Sequence, residues 1–182
     1  MIKFLKRLKG GLGNLYLNCF INHIPCWTLR KVLYMMLGMK IGNNTRINMF
    51  CVVIKPWNIA IGDNTMINEY AILDGRGGLL IGNSCSISMR SIIYSASHYS
   101  YSESFELYKK NTVLKDCCWI GAGAVILPGS VLSDFTVIAA NSSFKGISEE
   151  KGIYSGIPAI KIKERDINNK YILDLSSIGF FV

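Results

Sequence analysis

Three segments of this 182-residue chain repeat one pattern at 20-residue intervals: IGNNTRI from Ile41, IGDNTMI from Ile61 and IGNSCSI from Ile81. A fourth, IGAGAVI from Ile120, follows after a longer gap. Along them an apolar residue returns every six positions: Ile41, Ile47, Val53; Ile61, Ile67, Leu73; Ile81, Ile87, Ile93; then Ile120, Ile126, Leu132, Ile138 and Phe144. A period of six is neither helical nor the alternation of a half-buried strand. It suits an all-β solenoid in which each six-residue unit is one short strand and one turn, and three units close a triangular coil. The recurring Ile, Val or Leu then points into a narrow prism and stacks on its equivalent in the next coil. Backbone hydrogen bonds run between coils, about 4.8 Å apart. Gly, Asn and Asp after the apolar residue supply the tight corners. The 20-residue interval exceeds three sixes, which predicts a two-residue extension at one corner, near Pro56-Trp57 and near Gly77-Gly78. Residues 41–146 hold about five coils, one carrying an extruded loop. The competing fold, an antiparallel barrel or sandwich of short strands, gives no reason for apolar residues at sixes.

The flanks read differently. Residues 14–37 (NLYLNCFINHIPCWTLRKVLYMML) carry apolar residues at mixed three and four spacing, broken by Pro25, which predicts one or two helices over the first coil. Such a cap is needed because an open solenoid end exposes its core and unpaired strand edges. The expected organisation is a basic helical appendage over 1–38, the solenoid over 39–155 with a loop at about 97–113, and a C-terminal strand-and-turn extension over 156–182. The apolar YILDLSSIGFFV at the end suits packing on the body or on a neighbouring subunit.

Half of the residues are hydrophobic and 18% charged, which excludes a disordered chain. No apolar run approaches the 18 residues of a membrane-spanning helix. The basic N-terminal MIKFLKRLKGGLG lacks a following hydrophobic core and cleavage site, so no signal peptide is expected and the location reads as cytoplasmic. The net charge of +8 is concentrated in the flanks, which points away from nucleic acid. Lys3, Lys6, Arg7, Lys9, Arg30 and Lys31 leave open a peripheral contact of the N-terminal helices with acidic lipid on the cytoplasmic face of the inner membrane. The six cysteines lack CxxC spacing and only two histidines accompany them, so buried free thiols are expected, and no metal.

One of the two histidines, His98, interrupts the pattern in SASHYSYS. The phase set by Ile87 and Ile93 assigns the next inward slot to Tyr99 and turns His98 outward at the loop base. An imidazole at the root of a lid-like loop suits general-base work. The chain has no Gly-x-Ser-x-Gly elbow, and Cys117-Cys118 lies inside the solenoid rather than beside a histidine in sequence. No glycine-rich loop leads into a Lys-Ser/Thr step. Direct attack of a substrate group on an acyl donor, with His98 taking the proton, needs no protein nucleophile.

The IGxNxxI segments, the Ser-His step before a loop, CWIGAGAVILPG (118–129) and SGIPAIKIK (155–163) resemble the hexapeptide-repeat acyltransferases with a left-handed parallel β-helix. Similarity covers about residues 38–165 and is nearest the maltose and galactoside O-acetyltransferases and the bacterial surface-polysaccharide O-acetyltransferases. NHIPxxxLRKxLxxxLGxKIG (22–42) resembles the polysaccharide branch more. The resemblance implies left-handed coiling and a homotrimer with an acetyl-CoA groove between adjacent prisms. It further implies acetyl transfer from acetyl-CoA to a sugar hydroxyl of a surface polysaccharide or its precursor.

Carried onto this sequence, the family's base falls on His98, whose other ring nitrogen is expected to donate to a carbonyl or carboxylate. The Tyr- and Ser-rich loop from Tyr99 shapes the acceptor site, and the acceptor-binding residues fall near Asn68 and Asp74. Trp119 matches a tryptophan beside the donor channel. Gly121, Ala122, Ala139 and Ala140 are the small wall of that channel, and Lys145, Lys161 and Lys163 the candidates for the CoA phosphates. Two departures stand out: Ile160 where the family usually has Lys or Arg after Gly-x-Pro-Ala, and Ala139-Ala140-Asn141-Ser142 for the common Gly-Ala-Gly-Ser/Ala. Asn68 and Asp74 also read as structural corner residues, and Trp119 as an aromatic covering a coil edge. N-acyl transfer to an amino sugar, acetyl transfer to serine or an antibiotic, and a non-catalytic trimeric scaffold are the alternatives. A zinc carbonic anhydrase on this fold would need three imidazoles per site, and each chain has two histidines.

Overall fold

The computed structural model describes residues 17–167 and 171–175. From Lys40 onward the chain winds through three parallel sheets, contributing one strand to each per coil. The first face stacks Lys40–Ile41, Ile59–Ile61, Leu79–Ile81, Thr112–Leu114 and Val131–Leu132. The second stacks Arg46–Ile47, Met66–Ile67, Ser86–Ile87, Trp119–Ile120 and Val137–Ile138. The third stacks Val52–Ile54, Ile72–Asp74, Ile92–Ile93, Val125–Ile126 and Ser143–Phe144. Register superposes the residues spaced by six: Ile47, Ile67, Ile87, Ile120 and Ile138 form one column. Val53, Leu73, Ile93, Ile126 and Phe144 form another. All ten are at most 3% exposed, so the period of six is the core of the molecule. Five coils result, and a bridge from Val131 to Ile147 opens a partial sixth whose second-face strand is Gly152–Gly156.

The corners explain the Ile-Gly-Asn/Asp step. A Cβ on Gly42 would fall 2.4 Å from Asp63 Oδ1 and 2.5 Å from the Gly62 carbonyl carbon, and one on Gly62 would fall 2.5 Å from Asn83 Oδ1. Only glycine lets the next coil stack directly above it. The Asx that follows then reaches across coils. Asp63 Oδ1 accepts the Asn43 N–H at 2.6 Å, Asn83 Oδ1 accepts that of Asp63 at 2.8 Å, and Asp116 Oδ1 that of Asn83 at 2.9 Å. Two residues further on, Thr45 and Thr65 donate to Gly62 O and Gly82 O at 2.5 and 2.8 Å. Cys85 and Cys118 continue that column, their thiols donating to Lys115 O and Ser133 O at 3.1 and 3.3 Å. Four of the cysteines are buried as expected; Cys19 is exposed and Cys26 half-buried, because both belong to the cap rather than the coils.

The third corner carries the insertions. A 3-10 turn at Pro56–Asn58 and the Gly75–Gly78 turn supply the extra residues of the early coils. After the third coil the same corner extrudes an antiparallel hairpin, Ala96–His98 against Leu107–Lys109, before the first face resumes at Thr112. Tyr99 therefore does not enter the prism: the chain has already left the six-residue phase.

The N-terminal end is closed by side chains. A 3-10 turn at Ile21–His23 leads into helix α1, Trp27–Met36. The buried Arg30 of α1 donates to Ile24 O, to Pro25 O at 3.0 Å and to Ile47 O at 3.0 Å. Lys31 Nζ reaches Gly42 O at 2.7 Å. Asn18 donates to Val53 O and accepts from Val53 N, while Asn22 donates to Cys51 O and accepts from Tyr34 Oη at 2.7 Å. Groups that a preceding coil would have satisfied are thus occupied. Arg30 and Lys31 belong to this cap, which corrects their place in a lipid-facing set; Lys3, Lys6, Arg7 and Lys9 lie outside the described residues. Among the described residues no helix is long and apolar enough to cross a membrane.

At the other end Ala159–Glu164 folds back antiparallel on Gly152–Gly156. Tyr171 returns to the body, its hydroxyl donating to Cys117 O at 3.3 Å, and Leu175 is buried.

Candidate active site

The hairpin positions His98 by closing on it. The first strand ends with His98 paired opposite Leu107, and the intervening turn brings Phe105 back over the imidazole. Phe105 has a left-handed backbone, φ 52°, and its carbonyl oxygen lies 2.7 Å from His98 Nδ1. A carbonyl only accepts, so in the neutral ring Nδ1 carries the hydrogen and Nε2 keeps the lone pair. The Phe105 ring stacks on the imidazole with centroids 4.0 Å apart and planes inclined by 11°. His98 is exposed, as its phase requires.

His98 lines a pocket of about 240 Å³ together with Tyr99, Tyr101, Tyr108, Lys110, Pro128 and Lys145. Tyr99 packs on Tyr101 and Tyr108 at centroid distances of 5.3 and 4.8 Å, giving an aromatic wall beside the base. Lys110 and Lys145 supply positive charge, and among the described residues no carboxylate lines this pocket. The Lys110 stem runs over Gly129, whose missing side chain leaves it room. The sequence marked this loop as Tyr-rich without singling out Tyr101, Tyr108 or Lys110, which the antiparallel hairpin brings together beside Tyr99.

Asn68 and Asp74 are elsewhere. Asn68 Nδ2 donates to Ile87 O one coil on, at 2.9 Å. Asp74 is 0% exposed; its carboxylate takes Arg76 N and Nε at 2.9 and 3.0 Å, Arg76 Nη2 at 3.1 Å and Ser95 N at 3.1 Å. The Ser95 hydroxyl donates to Asp74 O at 2.5 Å. Asp74 thereby fixes the point where the hairpin leaves the coil, and neither residue lines the His98 pocket.

A second cavity, a groove of about 540 Å³, crosses the second face. Trp119, Gly121, Ala122, Ala139 and Ala140 all line it, joined by Ser88, Val137, Ile153 and Arg165. Trp119 is 47% exposed and its indole N–H donates to Ser88 Oγ at 3.2 Å, which holds the ring upright as one wall. The alanines keep the floor shallow, so backbone is within reach of a ligand. Size and apolar character suit a long, flexible, mostly apolar arm. Gly121 serves the fold as well: a Cβ there would meet Ala140 N at 2.5 Å.

The lysines expected at the phosphates separate. Lys145 lines the His98 pocket rather than the groove, and Lys163 is exposed on the C-terminal hairpin. Lys161 is bound to Glu149 at 2.6 Å and Glu164 at 2.9 Å, and these hydrogen bonds raise its pKa above the ordinary lysine range. Neither Lys161 nor Lys163 lines either cavity.

Two of the buried thiols, Cys51 and Cys118, are unsuited to covalent catalysis. Burial pushes the Cys51 thiol up to about 12, and a hydrogen bond with Cys85 together with burial holds Cys118 well above the usual thiol range. Both stay protonated at neutral pH and are poor nucleophiles.

No protein-family model matches the chain. Among curated proteins it is 31% identical over 137 residues, 75% of each chain, to WcaF of Escherichia coli (strain K12), assigned as a colanic acid biosynthesis acetyltransferase. Among solved structures it resembles a hexapeptide-repeat-containing acetyltransferase of Vibrio cholerae complexed with acetyl coenzyme A. That match has a TM-score of 0.77 and 27% identity, covering 87% of this chain and 86% of that one. A galactoside acetyltransferase in complex with coenzyme A shares the fold, with a TM-score of 0.78 at 24% identity, covering 87% and 80% of the two chains. With its coils stacked at the expected period and its sequence relationship to WcaF extending over three quarters of both chains, the protein belongs to the hexapeptide-repeat acyltransferases of the left-handed parallel β-helix fold.

Proposed function

We propose that this protein transfers an acetyl group from acetyl-CoA to a sugar hydroxyl of a surface polysaccharide or its precursor, with His98 as general base. The observation that carries the reading is the 2.7 Å contact of His98 Nδ1 with the Phe105 carbonyl, which leaves Nε2 free to accept a proton at the mouth of the pocket. In this reaction Nε2 takes the hydroxyl proton while the sugar oxygen bonds to the acetyl carbon. The carbon–sulfur bond breaks, and the imidazolium gives its Nε2 proton to the departing sulfur, restoring the neutral ring. The Phe105 carbonyl stabilises the cation throughout, because Nδ1–H remains bound to it. The apolar groove with Trp119 and the small Gly121, Ala122, Ala139 and Ala140 fits the pantetheine arm of the donor.

The assembly belongs to the same proposal. The His98 pocket and the groove share no lining residue: one sits at the third corner, the other on the second face. A cyclic homotrimer that sets the third corner of one prism against the second face of the next brings the two halves together. The sugar acceptor is supported by the relationship to WcaF and by the tyrosine wall, since aromatic rings suit pyranose faces.

His98→Ala is expected to lower turnover at least about 10²-fold with acetyl-CoA binding retained, as for a missing general base. Assays with labelled acetyl-CoA and a panel of sugar, amino-sugar, serine and antibiotic acceptors give both the acceptor and the effect. Unchanged turnover on the preferred acceptor would sink the mechanism, and transfer confined to amines would replace the hydroxyl reading.

A further inference from the structure

Helix α1 is built inside out. Its cations turn toward the coils: Arg30 is buried, and Lys31 reaches Gly42 O at 2.7 Å. Its outward side carries Leu29, Val32, Met35 and Met36, all exposed, Met36 by 77%. Leu29, Val32 and Met36 follow one another at three and four residues and so form one stripe along the helix. Thr28 is the other exposed residue of α1, so the outward side holds no charge. A surface helix ordinarily turns its apolar stripe to the core and its charges to water. An apolar patch left outward marks a contact with something else.

The charge around this face is one-sided. Asp63 is the first acidic residue of the chain, and nine Lys or Arg precede it. From Asp63 onward eleven basic residues are set against twelve acidic ones, so residues 1–62 hold the whole positive excess. Of those nine, Arg30, Lys31, Lys40, Arg46 and Lys55 are described, and all five lie in α1 or the first coil.

Charge complementarity selects the occupant. A second cap would bring positive charge onto positive charge, and so would the chain's own first sixteen residues, which hold Lys3, Lys6, Arg7 and Lys9 and no acid. A nucleic acid would meet no cation on the outward side of α1. An anionic bilayer answers both features: apolar side chains enter the boundary between headgroups and acyl chains, and the cations around them attract the lipid charge. We propose that the N-terminal end of the prism docks on an anionic membrane surface, with Leu29, Val32, Met35 and Met36 as the inserted side chains. The helix lies along the surface rather than across it, since its ten residues span about 15 Å and the hydrocarbon core about 30 Å. In the trimer proposed above, prisms side by side about an axis along their coils set three such caps at one end, where three weak contacts act together.

The docking of a cap does not depend on the acyl-transfer reading, and it is tested without an activity assay. The full chain is floated with vesicles of phosphatidylcholine, with and without phosphatidylglycerol. The wild type is expected to float with the anionic vesicles, far less with the neutral ones, and to be released by salt. Val32→Ser/Met36→Ser is expected to weaken binding to the anionic vesicles at least about tenfold, with melting temperature and mass in solution unchanged. A second variant, Met36→Trp, reports on the helix itself: brominated phosphatidylglycerol is expected to quench its fluorescence beyond that of the wild type. No flotation of the wild type with anionic vesicles overturns the proposal, as does equal binding by the double-serine variant or an unquenched Met36→Trp. A lower melting temperature in the double-serine variant would show the stripe packed on the chain itself, and a smaller mass in solution would show it packed on a second copy. Either result overturns the docking.

Discussion

Phe105 holds His98 twice, by its carbonyl at Nδ1 and by its ring across the imidazole face. The two contacts are separable by mutation. Phe105→Ala keeps the carbonyl and removes the stack, so Nε2 retains its lone pair but loses its fixed direction. Turnover is expected to fall about tenfold with the KM for acetyl-CoA unchanged, since misdirected reacting groups cost rate rather than donor binding. Phe105→Tyr, which restores a ring of the same outline, is expected to recover most of the rate; steady-state kinetics of both variants checks this. The histidine itself was visible in the sequence, because a rare residue broke a regular pattern just where the phase turns it outward. Its partner was not, since a backbone carbonyl seven residues away carries no signature until the hairpin closes. Arg165, which lines the groove, was hidden for a similar reason: Cys117 and Tyr171, which hold it, are brought together only by the returning C-terminal segment. Asp74 read in the sequence both as an acceptor ligand and as a corner residue, and its contacts are those of the corner: Arg76 two residues on meets the carboxylate locally and Ser95 completes it from the next coil.

At the scale of elements, the strands were legible and the cap was not. The columns of the core follow from apolar residues at sixes, and the Gly-Asx step marks the corners, because both encode contacts repeated every coil. The cap makes each of its contacts once. Arg30, read from composition as a charge available to lipid, donates instead to Ile24 O, Pro25 O and Ile47 O inside the junction of α1 with the first coil. Its removal takes the guanidinium donors from these carbonyls, that of the buried Ile47 among them. Arg30→Met is therefore expected to cost about 2–4 kcal/mol of stability, the price of unmet buried acceptors offset by the methionine's apolar surface. A denaturant titration of the protein measures it, and a loss below about 0.5 kcal/mol would show that water or neighbouring groups serve those carbonyls as well. Residual enzyme that stays folded is expected to turn over normally, since α1 lines neither cavity.

For the whole molecule, the separation of the two cavities makes a prediction that no single-chain enzyme would satisfy. His98→Ala loses the base, and Ala122→Trp fills the groove; each is expected to be inactive alone. In the proposed trimer, co-expression of the two variants mixes the chains, so that some sites draw an intact His98 from one protomer and an open groove from its neighbour. Random assembly restores roughly a quarter of the sites. Activity no greater than that of either variant alone, in mixed trimers verified by mass, would mean that each chain builds its site unaided.

The stacking of near-identical turns has one more consequence. His98 leaves the body after the third turn, and Lys145 follows the fifth. Their separation along the axis is therefore counted in rungs of about 4.8 Å. Duplicating or losing one rung would slide these groups past one another by a fixed step and leave the bearing of each side chain around the axis unchanged. Reach along the axis and direction around it are independent coordinates in such a chain. A lineage of these proteins can refit the spacing of its two ends to a longer or shorter ligand by copying a turn, without redesigning a single contact within it.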